Sequence, residues 1–299
     1  MKLGVILHGA KSSRHAQKRE IEKVFDEYEL HIRVTEYDRH AEKIARDFCN
    51  EGLDVILVCG GDGSLNQAAN GIVQSNSPQT PLAIWPSGTG NDFVKTVEVP
   101  KSFQEIKKSI EVNRFRAVDF PAMEWDGKKR MFLNVTDLGL GGCVAYDMTR
   151  SNRRLGSFLT YQWLIVKNLI RFKKRTIRFE LDGKHHEARA MNFVVANAKY
   201  FGAGLGISPE SNVSDGMLEV IVIGDLNLFE YLYFVPKVKK CKMLSYHKIQ
   251  YYTAKKIGIE TEVPMPIDMD GEFVGFTPMT ISLQHTLNVV VRNDHEELK

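Results

Sequence analysis

The first third of the chain alternates between short apolar runs and segments with helical periodicity. Apolar or alternating runs typical of strands lie at residues 3–7, 30–35, 54–59 and 81–85. Segments whose apolar side chains recur on one helical face lie between them, at residues 13–28, 41–50 and 65–73. Strands that alternate with helices indicate a parallel sheet with helices on both faces.

The pattern changes after about residue 120, where strand-like runs follow one another directly. They lie at residues 130–135, 176–181, 188–196, 217–223, 256–262 and 273–277, with two helical segments at 156–172 and 228–239. A last run at 286–292 is a strand that we expect to return to the first domain. We therefore predict an α/β chain with an amino-terminal Rossmann-like parallel-sheet domain, residues 1–122 joined by 285–299, and an antiparallel β-sandwich domain, residues 123–284.

Composition narrows the class of protein. The chain has 299 residues, of which 43% are hydrophobic and 26% charged, which is enough apolar sequence for two folded cores. The net charge of +3 gives no argument for nucleic-acid binding. The four cysteines form no closely spaced pair and are expected to be reduced thiols of a cytoplasmic protein. No apolar run reaches the ~20 residues that span a bilayer, so we expect any membrane contact to be peripheral.

Two glycine-rich segments follow neighbouring strands of the predicted sheet. GGDGSLNQ, residues 60–67, comes after the strand at 54–59, and PSGTGNDF, residues 86–93, comes after the strand at 81–85. Ligands of such sheets bind at the carboxyl ends of the strands, so the two segments converge on one edge. Glycines let backbone N–H groups approach phosphates, and a helix N-terminus favours anions. Neither segment is a Walker or dinucleotide motif, and the residues alone also permit a tight turn with an exposed Asp62.

Two further features carry candidate chemistry. Asp270 and Glu272 lie two residues apart, so on a strand they face the same side, where mutual repulsion raises one pKa and suits acid–base catalysis. Asp270-Gly271 is equally typical of a hairpin turn. Basic runs follow both late helices, and they indicate either a solvated helix end or attraction to anionic lipid headgroups. These runs contain Arg171, Lys173, Lys174, Arg175, Lys237, Lys239, Lys240 and Lys242.

Taken together, these motifs resemble the catalytic region of the diacylglycerol kinases, the sphingosine kinases and related bacterial lipid kinases. The resemblance continues through FLNVTDLGLGG at 132–142, Arg154-Leu155-Gly156 with Tyr161, Asn197 with YFGAG at 200–204 and Pro209, SDGML at 214–218 and DMDGE at 268–272. Two positions depart from the family. His8-Gly9-Ala10-Lys11 stands where an Asn-Pro motif is usual, and Ser64 replaces the more usual threonine but keeps the hydroxyl.

The resemblance implies ATP and Mg²⁺ as cofactors and assigns roles to residues. It implies that Asp62, helped by Asp119, serves the catalytic Mg²⁺. We expect Glu272 to be the catalytic base, with Asp270 as its partner or metal-side carboxylate, and the sequence leaves open which of the two takes the proton. The implied nucleotide-binding residues are Thr35, Gly61, Asp62, Gly63, Ser64, Leu65, Asn66, Gln67, Gly88, Thr89, Asn91 and Asp92. A structural Mg²⁺ is implied at Asn212, Asp215 and Met217, although Asp215-Gly216 alone also permits a simple turn.

The function implied by this resemblance is transfer of the γ-phosphate of Mg-ATP to the hydroxyl of a lipid at the membrane surface. Diacylglycerol is the expected acceptor and phosphatidic acid the product. Similar bacterial enzymes suggest a homodimer, and we expect a cytoplasmic protein that associates peripherally with the inner membrane face. An NAD kinase, which shares the GGDG element, is the enzymatic alternative, and a non-catalytic nucleotide-binding regulator is the other.

Overall fold

The computed structural model describes residues 1–151, 157–172 and 175–292, so the predicted Arg154-Leu155-Gly156, Lys173 and Lys174 lie outside the described residues. The chain divides into two compact units, one formed by Met1–Asp119 with the segment from His285, the other by Phe120–Gln284. Among the described residues, no helix is both long and apolar enough to cross a bilayer.

The elements of the first part of the chain alternate as the hydrophobic pattern predicts. They are β1 (Lys2–Leu7), α1 (Arg14–Val24), β2 (Glu29–Val34), α2 (His40–Asn50), β3 (Val55–Gly60), α3 (Asp62–Val73), β4 (Leu82–Pro86), α4 (Phe93–Thr96), α5 (Phe103–Glu111) and β5 (Phe115–Trp125).

Strands dominate the rest of the chain. They are β6 (Lys128–Met131), β7 (Val135–Gly139), β8 (Arg175–Leu181), β9 (Lys184–Ala190), β10 (Asn192–Ala196), β11 (Tyr200–Phe201), β12 (Leu205–Gly206), β13 (Leu218–Ile223), β14 (Ile249–Ala254), β15 (Lys256–Thr261), β16 (Pro266–Met269), β17 (Glu272–Phe276) and β18 (Met279–Val290). Three helices accompany them: α6 (Leu140–Thr149), α7 (Ser157–Arg171) and α8 (Leu228–Lys239).

The first unit is built on a parallel sheet. Its strands run in the order β2-β1-β3-β4, and all three of these pairings are parallel. All six residues of β3 are buried, as expected for a strand covered on both faces. The end of β18 also belongs to this unit, because Val289 pairs in parallel with Leu82. The carboxyl ends of β3 and β4 therefore lie side by side and carry the two glycine-rich segments.

The second unit contains an antiparallel sheet in the order β14-β13-β10-β7-β16-β17. One face packs in a core with β8 and β15, through residues such as Leu138, Phe193 and Ile257. The opposite face packs in a core that includes Val194 and Phe234 of α8. The predicted fold class, a parallel α/β domain followed by an antiparallel β domain, is confirmed.

Two predicted strands are wrong in the same way, because each is broken in the structure. The run at 130–135 is divided between β6 and β7, since the amides of residues 133–135 bond to a distant carboxylate instead of a strand. The run at 188–196 is divided at Met191, because β9 pairs with β8 whereas β10 pairs with β7 and β13. The apolar runs continue across both breaks, so the hydrophobic pattern does not predict where the strands end.

We predict that Gly71→Ala destabilises the first unit. A Cβ atom at Gly71 would lie 2.1 Å from the carbonyl oxygen of Glu42 on α2, so the helices would have to separate. The expected loss of unfolding free energy is about 1–3 kcal/mol, typical of overpacking, measured by urea denaturation. Gly258→Ala is the matched control, because its Cβ would meet only Glu180 Cβ at 3.8 Å. Equal stability of the two variants would contradict the prediction.

Candidate active site

The two glycine-rich segments touch each other through their backbones. A Cβ atom at Gly61 would lie 2.9 Å from the Cα of Gly88, and a Cβ at Gly88 would lie 2.4 Å from the Cα of Gly61. The N–H of Ser87 also donates to the carbonyl of Gly60 at 2.8 Å. Only glycine permits this approach, which brings the backbone amides of both segments to one place.

Asp62 joins the two segments by a side-chain contact. Its Oδ1 accepts hydrogen bonds from the N–H groups of Asp92, at 2.8 Å, and Phe93, at 3.2 Å. Burial raises the pKa of Asp62, and the charge of Asp92 adds to this, while the amide donors act in the opposite direction. The arrangement orients the second oxygen, Oδ2, which can serve as a ligand for a cation.

The second segment is shaped by Asn91. This residue has a left-handed φ of 49°, and its side chain bonds twice to Gly88, accepting from the N–H at 2.9 Å and donating to the carbonyl at 3.0 Å. Asp92 is buried and pairs with Lys95, whose Nζ lies 2.6 Å from its Oδ1. Thr89 is exposed at the tip of this turn, where a bound nucleotide could reach its hydroxyl.

The predicted nucleotide-binding residues of α3 differ in the solvent exposure of their side chains. Gly63 is exposed and Ser64 half-buried in the first turn, whereas Leu65 and Asn66 are buried. The side chains of Leu65 and Asn66 therefore pack inward, and the N–H of Leu65 donates to the Gly61 carbonyl at 3.0 Å. The structure therefore does not present either of these two side chains to a phosphate. Gln67 turns to the side and donates to Asp38 at 3.2 Å.

Thr35 packs against the segment that departs from the family. Its Oγ1 accepts a hydrogen bond from the N–H of Gly9 at 3.0 Å, and a Cβ at Gly9 would lie 1.9 Å from the Thr35 carbonyl oxygen. Gly9 thus lets the chain after β1 lie directly on Thr35. Asp119 is buried on β5.

In the second unit, Asp270 and Glu272 have different surroundings. Asp270 and Gly271 have φ of 49° and 88° and form the two-residue turn between β16 and β17. The carboxylate of Asp270 accepts hydrogen bonds from the N–H groups of Leu133, Asn134 and Val135 at 2.9–3.1 Å. Glu272 begins β17 with an exposed side chain. Asp270 therefore organises the turn, and Glu272 presents its carboxylate to solvent.

A buried pair of carboxylates in the same unit was not predicted from the sequence. Asp137 of β7 and Asp268 of β16 are paired residues of neighbouring antiparallel strands. Both Asp137 oxygens and Oδ1 of Asp268 are buried without a hydrogen-bond partner. Burial raises the pKa of Asp137 to about 7, and burial followed by the Asp137 charge raises that of Asp268. The raised pKa values favour the protonated form of these carboxyls more than in solvent, and a protonated carboxyl beside a carboxylate can both donate and accept a hydrogen bond.

The carboxylate pair lies in a defined environment. A Cβ atom at Gly141, in the first turn of α6, would meet both Asp137 oxygens, at 2.2 and 2.4 Å, so glycine makes room for the carboxylate. Burial, then the charges of Asp268 and Asp137, raise the pKa of Tyr161 on α7. One feature of the sequence does indicate this pair. Asp137 lies within the apolar run VTDLG, and a carboxylate is costly to bury unless it has a role.

The candidate structural metal residues lie in one loop. Oδ1 of Asp215 accepts from the N–H of Met217 at 3.0 Å, and Oδ1 of Asn212 accepts from the N–H of Ser214 at 3.2 Å. Among the described residues, no group of three or more His, Cys, Asp or Glu side chains is arranged to hold a metal. Burial, then the charges of Asp215 and Glu210, raise the pKa of Glu219.

Comparison with known families accounts for nearly the whole chain. The diacylglycerol kinase catalytic domain matches residues 2–123, and the YegS C-terminal NAD kinase beta sandwich-like domain matches residues 135–291. The chain therefore belongs to the diacylglycerol kinase-like family of lipid kinases, and it is an enzyme that uses ATP as a substrate.

Individual relatives are distant, and the alignments cover 85–99% of each chain. A diacylglycerol kinase of Bacillus subtilis (strain 168) is 23% identical over 303 aligned positions, with 99% of both chains covered. A diacylglycerol kinase of Staphylococcus aureus (strain NCTC 8325 / PS 47) is 26% identical and covers 91% of this chain and 85% of its own. A crystal structure of a protein assigned as a diacylglycerol kinase from Bacillus anthracis str. Sterne superposes with a TM-score of 0.76 at 26% identity, covering 98% and 97%.

We predict that Gly88→Ala weakens ATP binding. The new methyl group would have to displace Gly61 and the Asn91 side chain, which lies 2.7 Å from its position. We expect the Kd for ATP to rise about tenfold or more, equivalent to about 1.4 kcal/mol or more, by isothermal titration calorimetry. Gly258→Ala should bind ATP as the wild type does. Unchanged affinity of Gly88→Ala would show that the contact between the glycine segments is not needed for the nucleotide.

We predict that Asp137→Asn removes a pH dependence of stability. The pKa of this carboxyl is about 7 in the folded protein and about 3.9 in the unfolded chain. Its contribution to the free energy of unfolding is therefore complete below about pH 3.9. This contribution is lost as the pH rises towards and past 7. The wild type should therefore lose stability relative to the variant between pH 4 and 8, on the order of 2–4 kcal/mol, because one pKa unit corresponds to about 1.4 kcal/mol. The prediction would be contradicted if the unfolding free energies of the two proteins changed equally with pH across this range.

Proposed function

We propose that the protein transfers the γ-phosphoryl group of ATP to the free hydroxyl of diacylglycerol in a membrane, giving phosphatidic acid. The observation that carries this proposal is the contact between Gly61 and Gly88, supported by the Asp62 bonds, at the carboxyl ends of two parallel strands. The choice of acceptor is supported by the curated relatives, which are named diacylglycerol kinases.

We assign nucleotide binding to the first unit. The amides of the first turn of α3 and of the Gly88 segment would bind the phosphates, with the hydroxyls of Ser64, Thr89 and Thr35 as further donors. Asp62 fits a Mg²⁺ site, because one oxygen is held by two amides and the other is left to face a cation. Mg²⁺ would offset the charge of the β- and γ-phosphates during transfer. Asp119 is proposed to help hold it.

We assign proton transfer to Glu272. Its carboxylate would accept the proton of the acceptor hydroxyl while the hydroxyl oxygen forms a bond to the γ-phosphorus and the bond to the β-phosphate oxygen breaks, releasing ADP. Asp270 is the weaker candidate for this step, because three amides already bond to its carboxylate. Its proposed part is to position the turn that carries Glu272.

We also assign a structural Mg²⁺ to the loop of Asn212, Asp215 and Met217. The carboxylates of Asp215 and Glu210, whose charges act on Glu219, support a cation there, with one carboxylate and backbone carbonyls as a hydrated oxygen shell.

The enzymatic alternative is phosphorylation of NAD, and a direct assay separates the two. Radiolabelled ATP is incubated with diacylglycerol, a sphingoid base, other lipid alcohols and NAD, and the products are resolved by chromatography. Label in phosphatidic acid supports the proposal. Label in a different lipid would change the acceptor, and robust NADP formation would overturn the lipid assignment.

We predict that Glu272→Gln loses catalysis but keeps ATP binding. Removing the proton acceptor should lower kcat by about 10²–10⁴-fold, while the Kd for ATP stays unchanged. Glu187→Gln, at another exposed carboxylate of the same unit, is the matched control and should keep wild-type turnover. Wild-type lipid phosphorylation by Glu272→Gln would refute the role of this residue, and activity lost together with ATP binding would point to misfolding instead.

A further inference from the structure

Two helices of the second unit expose large apolar side chains on their outer sides. The exposed residues, which we call the α7–α8 face, are Leu159, Trp163, Val166 and Ile170 of α7 and Leu228, Phe229, Leu232 and Tyr233 of α8. Trp163 is 61%, Ile170 71% and Phe229 81% exposed. The spacing on α7 is that of one helical stripe. Single exposed apolar residues are normal, but a helical stripe of several large apolar side chains marks an interaction surface.

The two helices belong to one side of the same sheet. Their inner residues, Leu169 of α7 and Tyr231, Phe234 and Val238 of α8, pack on one buried cluster with Val194 of β10. The outer stripes therefore point away from a shared core on the same side of the unit. This core keeps the helices in place when their outer sides contact a partner.

Basic residues lie at the ends of both helices, and the acidic groups beside them are paired, since Asp147 lies 2.8 Å from Nζ of Lys167 on α7. The sequence of α7 contains no acidic residue and ends at Arg171, and the last turn of α8 carries Lys237 and Lys239. The single acidic residue of α8 is Glu230, whose carboxylate accepts from Lys248 Nζ at 2.7 Å and from Tyr246 Oη. Because Glu230 is already neutralised, the helix ends leave basic groups beside the apolar residues.

A groove of about 460 Å³ opens beside α8. Phe229, Tyr233 and Tyr246 line it, and the Nζ of Lys237 lies 4.4 Å from the centre of the Tyr233 ring. Aromatic rings with an ammonium group above them suit the boundary between acyl chains and headgroups, where amphipathic side chains concentrate.

We propose that the α7–α8 face is the surface with which the protein docks on an anionic lipid bilayer. The apolar stripes enter the headgroup–acyl boundary, and the lysines of residues 237–242 bind lipid phosphates. The inference rests on the proposed function, since the acceptor lipid lies in a bilayer. A second copy of the chain fits this face less well, because a symmetric contact would bring two lysine-rich surfaces together.

The test is co-sedimentation of the full chain with vesicles in the absence of ATP. Vesicles of phosphatidylcholine alone are compared with vesicles that also contain phosphatidylglycerol, at low and high salt. The wild type should prefer the anionic vesicles and lose this preference at high salt. The double variant Ile170→Ser/Phe229→Ser should bind both kinds of vesicle about tenfold more weakly. Val263→Ser, at an exposed apolar position elsewhere in the same unit, is the control.

The double variant Lys239→Gln/Lys240→Gln separates charge from apolar contact. It should lose the preference for anionic vesicles and most of the salt dependence while keeping the residual binding to phosphatidylcholine. If both double variants bind anionic vesicles as tightly as the wild type, the docking surface is elsewhere and the proposal is overturned. It is also overturned if the apolar variant dissociates a dimer, measured by light scattering, without changing vesicle binding.

A second assay distinguishes this proposal from the proposed function. Turnover is measured with a short-chain diacylglycerol dispersed in solution and with a long-chain diacylglycerol in anionic vesicles. The apolar variant should keep wild-type turnover on the soluble acceptor and lose about tenfold on vesicles. Correct vesicle binding with no phosphorylation of either acceptor would refute the acceptor assignment and leave the docking surface intact. Equal losses on both acceptors would show that the helices act on the reaction and not on docking.

Discussion

Three backbone N–H groups at residues 133–135 converge on the carboxylate of Asp270, across more than 130 positions of sequence. The residues that donate them are buried, so without Asp270 these amides would be unpaired in the interior, at a cost of about 1–3 kcal/mol each. The bonds end β6 and let β7 begin, and they hold the turn from which Glu272 emerges. Asp270 of the family motif thus positions Glu272 through the turn.

The first unit uses a comparable device at the carboxyl ends of β3 and β4. Gly61 and Gly88 approach until no side chain fits between them, and Asp62 then bonds to amides of the second segment. Each segment carries groups that satisfy the other, and in the proposed site this arrangement would hold their amides in place for the phosphates. The His8-Gly9 departure fits the same principle, since Gly9 rests on Thr35 through a backbone contact that needs glycine.

Two features of the second unit run against the usual distribution of polar and apolar groups. Asp137 and Asp268 bury carboxyl oxygens without partners, and α7 and α8 expose apolar side chains to water. Each arrangement costs stability, and such costs concentrate at functional positions. Both lie on the helix-covered side of the six-stranded sheet, since Asp137 alternates with Leu138, which faces the opposite core. This side of the unit therefore combines a buried polar pair with exposed apolar side chains.

The sequence by itself determined the order of elements, the change from parallel α/β to antiparallel β structure, and the family, because periodicity and motifs are local properties of the chain. It also identified the glycine segments, the Asp270-Gly271 turn and Glu272, whose assigned roles in catalysis remain predictions. Only the tertiary structure decided that residues 132–134 leave the strand, that Gly61 meets Gly88, and that Asp137 faces Asp268. Each of these depends on a partner far away in the sequence, and hydrophobic periodicity carries no information about which distant residue fills a given position.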